Sequence, residues 1–172
     1  EALGAVLRTF MLSFPVAVVL CLIVATLFMR TLRYAAVSTV PVVLLVSWLH
    51  GFMYAIGQDI NAVTATIAAV SIGIGIDFAV HLSMRYREEL HRRGDRFEAL
   101  EAAGAGTGSA LAASALSSVV GFAILAFAPM PMFASYGLLT AVMILLALAA
   151  SLLVLPSLLV LAGGTDDGTR ED

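Results

Sequence analysis

A chain of 172 residues that is 61% hydrophobic and only 12% charged, with a net charge of −3, does not have the makings of a water-soluble globule. Soluble domains run at about 45–50% apolar and about 25% charged, so soluble enzyme domains, nucleic-acid binders and disordered tails are excluded. All nine basic residues are Arg, and the positions of these and of the 12 acids carry the rest of the reading.

Taken in chain order, Phe10 to Met29 and Tyr34 to Gln58 carry no charge, and Ile60 to Met84 carries one, Asp77. Ala102 to Thr165 again carries none. About 20 apolar residues cross the roughly 30 Å of bilayer hydrocarbon. The last stretch holds two crossings, divided at Pro129-Met130-Pro131, because prolines so close together cannot continue a helix. The pattern predicts an all-α, polytopic membrane bundle of five transmembrane helices, over about 10–29, 34–56, 60–87, 104–128 and 132–161. The bundle occupies 1–163, with a polar elbow at 88–103 and a polar tail at 164–172. The first helix is not a signal peptide, since its apolar run is too long, it lacks a basic leader and more spans follow. Its Cys21 has no second cysteine to pair with, so no disulfide, metal site or cofactor is expected.

The Arg residues set an orientation. Arg30 and Arg33 lie between the first two helices, and Arg85, Arg87, Arg92, Arg93 and Arg96 between the third and fourth; the other two connections have no basic residue. The positive-inside rule then places the start of the first helix outside and the end of the last inside. An odd number of spans with an external start predicts a further span ahead of Glu1. The third helix is expected to run past the membrane and stop at Gly94. Asp95 then reads as an N-cap with Glu98 three residues on, opening a short helix with Phe97 and Leu100 on one face.

Asp77 is the main chemical signal. It precedes Arg85 by eight residues, or about 12 Å of helix, which puts it near the membrane midplane. An acid there costs about 2.5–3.5 kcal/mol on insertion scales and ordinarily faces a bundle interior or a wet cavity on an ion or proton path. Thr66, Val70, Gly73, Asp77 and His81 recur at steps of three or four and share one helix face. Gly73 leaves room for a neighbouring helix or water, and His81 lies one turn toward the basic end. The fourth span carries a second polar stripe, Thr107, Ser114, Ser118 and Gly121, with Ser117 beside it, able to hydrogen-bond a neighbouring helix or line a wet path. His50 has no such partner and reads as structural. Enzyme readings fail on spacing: there is no second membrane acid for an aspartyl protease, no Gly-x-Ser-Gly nucleophile, and the paired glycines are not preceded by a strand.

The run Ser71-Ile72-Gly73-Ile74-Gly75-Ile76-Asp77-Phe78-Ala79-Val80-His81, followed by Arg85-Tyr86-Arg87-Glu88-Glu89, resembles the fourth membrane helix of a resistance–nodulation–division (RND) half. The nearest likeness is to the mycobacterial-membrane-protein-large and Patched-like exporters. Asn61 to Ala65, Gly121-Phe122, Tyr136 to Thr140, Leu155 to Leu159 and the basic turn Arg30 to Arg33 are similar to that family in order and spacing. The resemblance implies that the five helices are the second to sixth of a six-helix half, with a first helix and an external porter domain ahead of Glu1. It implies that Asp77 is the proton-relay acid and that Ser114, Ser117 and Ser118 support it, with His81, Thr66, Gly73 and Gly121 nearby. Many relatives have Asp-Tyr where this chain has Asp77-Phe78, which removes a hydroxyl partner and gives His81 more weight.

The expected function is the membrane domain of a proton-motive-force-driven exporter of hydrophobic or lipid-like molecules in a prokaryotic plasma membrane. Its expected partners are membrane lipids, a lipid-like substrate, and a second six-helix half or a homo-oligomeric copy, with no nucleic acid. The alternatives are a sterol-sensing-like lipid-binding regulatory module and an accessory subunit of protein translocation.

Overall fold

The computed structural model describes the backbone of residues 2–58 and 62–163, and side chains of 15–58 and 64–161. Seven α-helices run in the order α1 (Ala2–Met29), α2 (Leu32–Ala55), α3 (Ala62–Arg93), α4 (Arg96–Ala103), α5 (Ser109–Leu125), α6 (Pro131–Ala149) and α7 (Leu155–Gly163), with no strand among the described residues. A π-helical turn at Gly104–Gly108 joins α4 to α5, and another at Ala150–Val154 joins α6 to α7. The described residues therefore form five helical rods, as the charge gaps predict. Four of them, Leu32–Ala55, Thr64–Arg93, Arg96–Leu125 and Pro131–Leu161, are long and apolar enough to cross a membrane, and the described part of α1 continues the same composition.

The helix ends follow local chemistry. α2 has 24 residues and spans about 36 Å at 1.5 Å per residue, enough for the hydrocarbon. α3 has 32 residues and projects beyond it. α3 stops where Gly94 takes φ +75, a conformation open to glycine at no steric cost. Asp95 then caps α4, its carboxylate accepting from the backbone N–H of Phe97 (2.8 Å) and Glu98 (2.9 Å). The pair expected on one face divides: Leu100 packs against the layer at the basic end and Phe97 does not. Ala99 and Ala103 are buried where α4 packs against α3 and α7, while Phe97 is 71% exposed. Pro131 opens α6 as its first residue, where a missing N–H is not needed. Pro156 falls in the first turn of α7, directly after the π turn. The wider turn gives its ring the clearance that a regular α-helix would deny it.

Two predicted boundaries shift. The first helix begins at Ala2 rather than near residue 10, and the fourth rod starts at Arg96 without a break at its glycines. Gly104, Gly106 and Gly108 widen that rod by a π turn instead of ending it. The tail 164–172 and the Asp59–Asn61 connection lie outside the described residues.

The core is in layers. At the basic end, Met29, Tyr34, Ala79, Leu82, Tyr86, Ala99, Ala103, Leu155 and Leu159 pack together. Toward the opposite end, Leu45, Leu49, Met53, Ile67, Ala115, Leu139, Met143, Ile144 and Ala147 form a second layer. α6 packs against α2, α3 and α5, whereas α3 and α5 share no extensive contact. Gly137 lets α5 and α6 meet backbone to backbone: a Cβ there would stand 2.6 Å from the Phe122 carbonyl oxygen and 2.7 Å from the Ala126 nitrogen.

Candidate functional site

Helix α3 sorts its side chains by chemistry. Ile67, Ala68, Ser71, Ile72, Gly75, Ala79, Leu82 and Ser83 are buried in the bundle. The opposite stripe, Thr66, Val70, Gly73, Asp77, His81 and Met84, is exposed along its whole length. The residues singled out by helical spacing thus share one face, and that face is open. Asp77 does not point into the interior of these five rods, and nothing stands within 4 Å of where a Gly73 Cβ would be.

The open face is a surface on which a carboxylate, an imidazole and small residues run in a line along the middle of a membrane helix. Asp77 and His81 sit one turn apart, but no hydrogen bond or ion pair joins either to another described residue. Phe78 takes the inward direction, against the layer containing Leu45 and Leu139. Its ring therefore points away from the Asp77 stripe.

The α5 hydroxyls are also outward. Ser114, Ser117, Ser118 and Gly121 are exposed, and Ala115 is the buried residue of that helix. Ser118 Oγ donates to the Ser114 carbonyl at 3.1 Å. The structure does not bring these hydroxyls to Asp77, because α6 packs against both helices while they barely meet each other. His50 bonds through Nδ1 to the Val46 carbonyl oxygen at 2.7 Å, the structural role expected of it. Among the described residues there is no cluster of three metal-ligating side chains.

Two features at the basic end were not legible beforehand. Ser38 and Ser83 hydrogen-bond across α2 and α3 at 2.7 Å, both fully buried. Arg87 donates to the Met29 carbonyl at the C-terminus of α1, where a cation also meets the negative end of the helix dipole. Its guanidinium lies 4.9 Å from the centre of the Tyr34 ring. The signal in the sequence was polar residues in otherwise apolar stretches, but their partners are 45 and 58 positions away.

Past Met84 the chain turns polar, and Glu89 becomes the centre of an ion cluster outside the apolar segment. Arg85 approaches it at 2.6 Å, Arg93 at 2.9 Å and Arg92 at 3.2 Å. The hydrogen bond from Arg93, reinforced by the charges of Arg92 and Arg85, holds the Glu89 carboxyl below its ordinary range. The same bond raises Arg93.

Among the described residues, five apolar rods around a layered core, with an acid midway along an open helix face, define a polytopic integral membrane domain. The chain belongs to the MMPL family, whose model matches residues 4–170. It is similar to a Methanocaldococcus jannaschii protein named only as a membrane protein, at 34% identity over 140 residues, covering 81% of this chain and 36% of that one. It is also similar to the hopanoid transporter HpnN of Rhodopseudomonas palustris, at 29% over 146 residues (84% of this chain, 16% of HpnN). The apo-petrobactin exporter of Bacillus anthracis matches at 30% over 116 residues (67% and 15%). The chain spans about a third or less of the length of these relatives. The family match, relatives named as membrane proteins and the spanning helices make the chain part of a multi-pass membrane protein.

Proposed function

We propose that this chain is the membrane domain of a proton-motive-force-driven exporter of hydrophobic or lipid-like molecules, with Asp77 as the proton carrier. The observation that carries the reading is the placement of Asp77: a lone acid halfway along a spanning helix, on a face left open by its own bundle. A carboxylate facing lipid is unfavourable by several kcal/mol, so in the working protein that face meets a second six-helix half or another copy of this chain. Gly73 gives the partner helix room for close approach, and water admitted there lets Asp77 load and release a proton. His81 extends the path toward the Arg-rich end, which is cytoplasmic by the positive-inside rule. Ser114, Ser117 and Ser118 lie apart from that face on α5 and join the path only across the surface a partner half supplies, with Thr66 and Gly121 as small packing residues.

The test is Asp77→Asn in the full-length protein, reconstituted in vesicles with an imposed pH gradient. Insertion and expression stay at wild-type levels, and gradient-dependent export of lipid cargo is abolished. Export at the wild-type rate in that variant refutes the assignment. A lipid-sensing regulatory module predicts that outcome, with function lost instead when bulky residues replace Gly73.

A further inference from the structure

We propose that the groove at the basic end of α1 is a binding site for an anionic phospholipid of the cytoplasmic leaflet, with the phosphate on Arg30 and an acyl chain along α1. The groove, about 650 Å³, is lined by Leu22, Ile23, Thr26, Leu27, Arg30 and Leu32. From Leu22 to Arg30 it runs about 12 Å along the helix axis, the depth of the upper part of an acyl chain below its head group. The Thr26 hydroxyl is turned back onto the Leu22 carbonyl at 2.6 Å, so it offers no free polar group to disfavour hydrocarbon.

Charge selects the head group. Arg30 is exposed and makes no ion pair with any described residue. On the neighbouring end of α3, two acids are already engaged: Glu89 by Arg85, Arg92 and Arg93, and Glu88 by Arg85 at 2.9 Å. Arg87, bound to the adjacent Met29 carbonyl, adds a second cation one peptide unit away. Arg30 also takes φ +53, which a non-glycine residue adopts at a steric cost. The groove mouth is therefore a cationic site at the level where a phosphate lies, above an apolar channel.

The proposal rests on the orientation argued above, since anionic lipids populate the cytoplasmic leaflet. The test uses full-length protein in nanodiscs of phosphatidylglycerol and phosphatidylcholine, with trace photoactivatable probes of each lipid bearing a diazirine in the acyl chain. The phosphatidylglycerol probe labels the segment from Leu22 to Leu32. Arg30→Asn, which tolerates the same backbone conformation, lowers that labelling about five-fold, the factor one basic side chain carries at an anionic surface. Arg30→Lys retains it, and the phosphatidylcholine probe labels about five-fold less. Equal labelling by both probes, no effect of Arg30→Asn, or no labelling because another part of the polypeptide covers the groove overturns the proposal. Asp77→Asn leaves the labelling unchanged, so failure of the coupling reading and failure of this one are separate results.

Discussion

Replacing Gly137 by Ala should loosen the contact between α5 and α6, although Ala is the better helix former. Intrinsic propensity favours the change by about 1 kcal/mol. The added Cβ would meet the Phe122 oxygen at 2.6 Å, the Ala126 nitrogen at 2.7 Å and the Leu125 carbonyl carbon at 2.9 Å, where ordinary contact begins at 3.4 Å. All three are backbone atoms, so no side chain can swing aside, and the helices must separate by roughly 0.8 Å. A gap of that size forfeits about a quarter to a half of the dispersion energy along the contact. Overpacking costs about 1–3 kcal/mol, and a rigid clash belongs at the upper end. The net effect is a loss of about 2 kcal/mol, or a melting temperature lower by about 4–8 °C for a chain of this size. Thermal unfolding of the 172-residue chain in detergent micelles reads it directly. A melting temperature equal to or above wild type would show that the two backbones do not touch as described.

Gly73→Ala supplies the contrast: with nothing within 4 Å of the new methyl, the same assay should show a rise of about 2–4 °C. Ser38→Ala and Ser83→Ala each strand a buried hydroxyl, while the double variant removes both. A double-mutant cycle in the unfolding free energy should give a coupling of about 0.6–1.7 kcal/mol, and strict additivity would deny the bond. Asp95→Ala should cost about 1 kcal/mol through the lost cap, read as faster proteolysis of the elbow around Gly94. Glu89 has a depressed carboxyl in the folded state, so its stabilisation is present above the unfolded carboxylate range and is lost as pH falls through the depressed value. Wild type should therefore lose more of its melting temperature than Glu89→Gln between neutral and strongly acidic pH, and parallel curves would remove Glu89 from the account.

Much of the architecture was readable from charge spacing, because the bilayer forbids charges over about 20 residues and forbids unpaired backbone. The five rods, the Pro129–Pro131 break, the Gly94 stop and the Asp95 cap all follow from rules local in sequence. The π turns did not, since a widened turn depends on what packs beside it; Gly108 faces Leu152 of the other π turn at contact distance. The burial of Ala99 and Ala103 but not Phe97 likewise depends on how α4 packs against α3 and α7. The Asp77 stripe was legible as a face, through its spacing. Its openness was not, because periodicity tells which residues share a face and nothing about what stands opposite. The α5 hydroxyls show the same limit: their spacing matched a stripe, but α5 and α3 share no extensive contact.

The paired hydroxyls of Ser38 and Ser83 have a mechanical consequence. A short hydrogen bond in a dry core tolerates rotation of the helices about it far better than sliding, since an axial slip of one residue, about 1.5 Å, breaks it with no water to replace it. The Arg87 link to the end of α1 fastens the neighbouring rod at the same level. Helices α1, α2 and α3 are thus fastened together at the basic end, and α2 and α3 are held again toward the other by the layer of Leu45, Leu49, Met53 and Ile67.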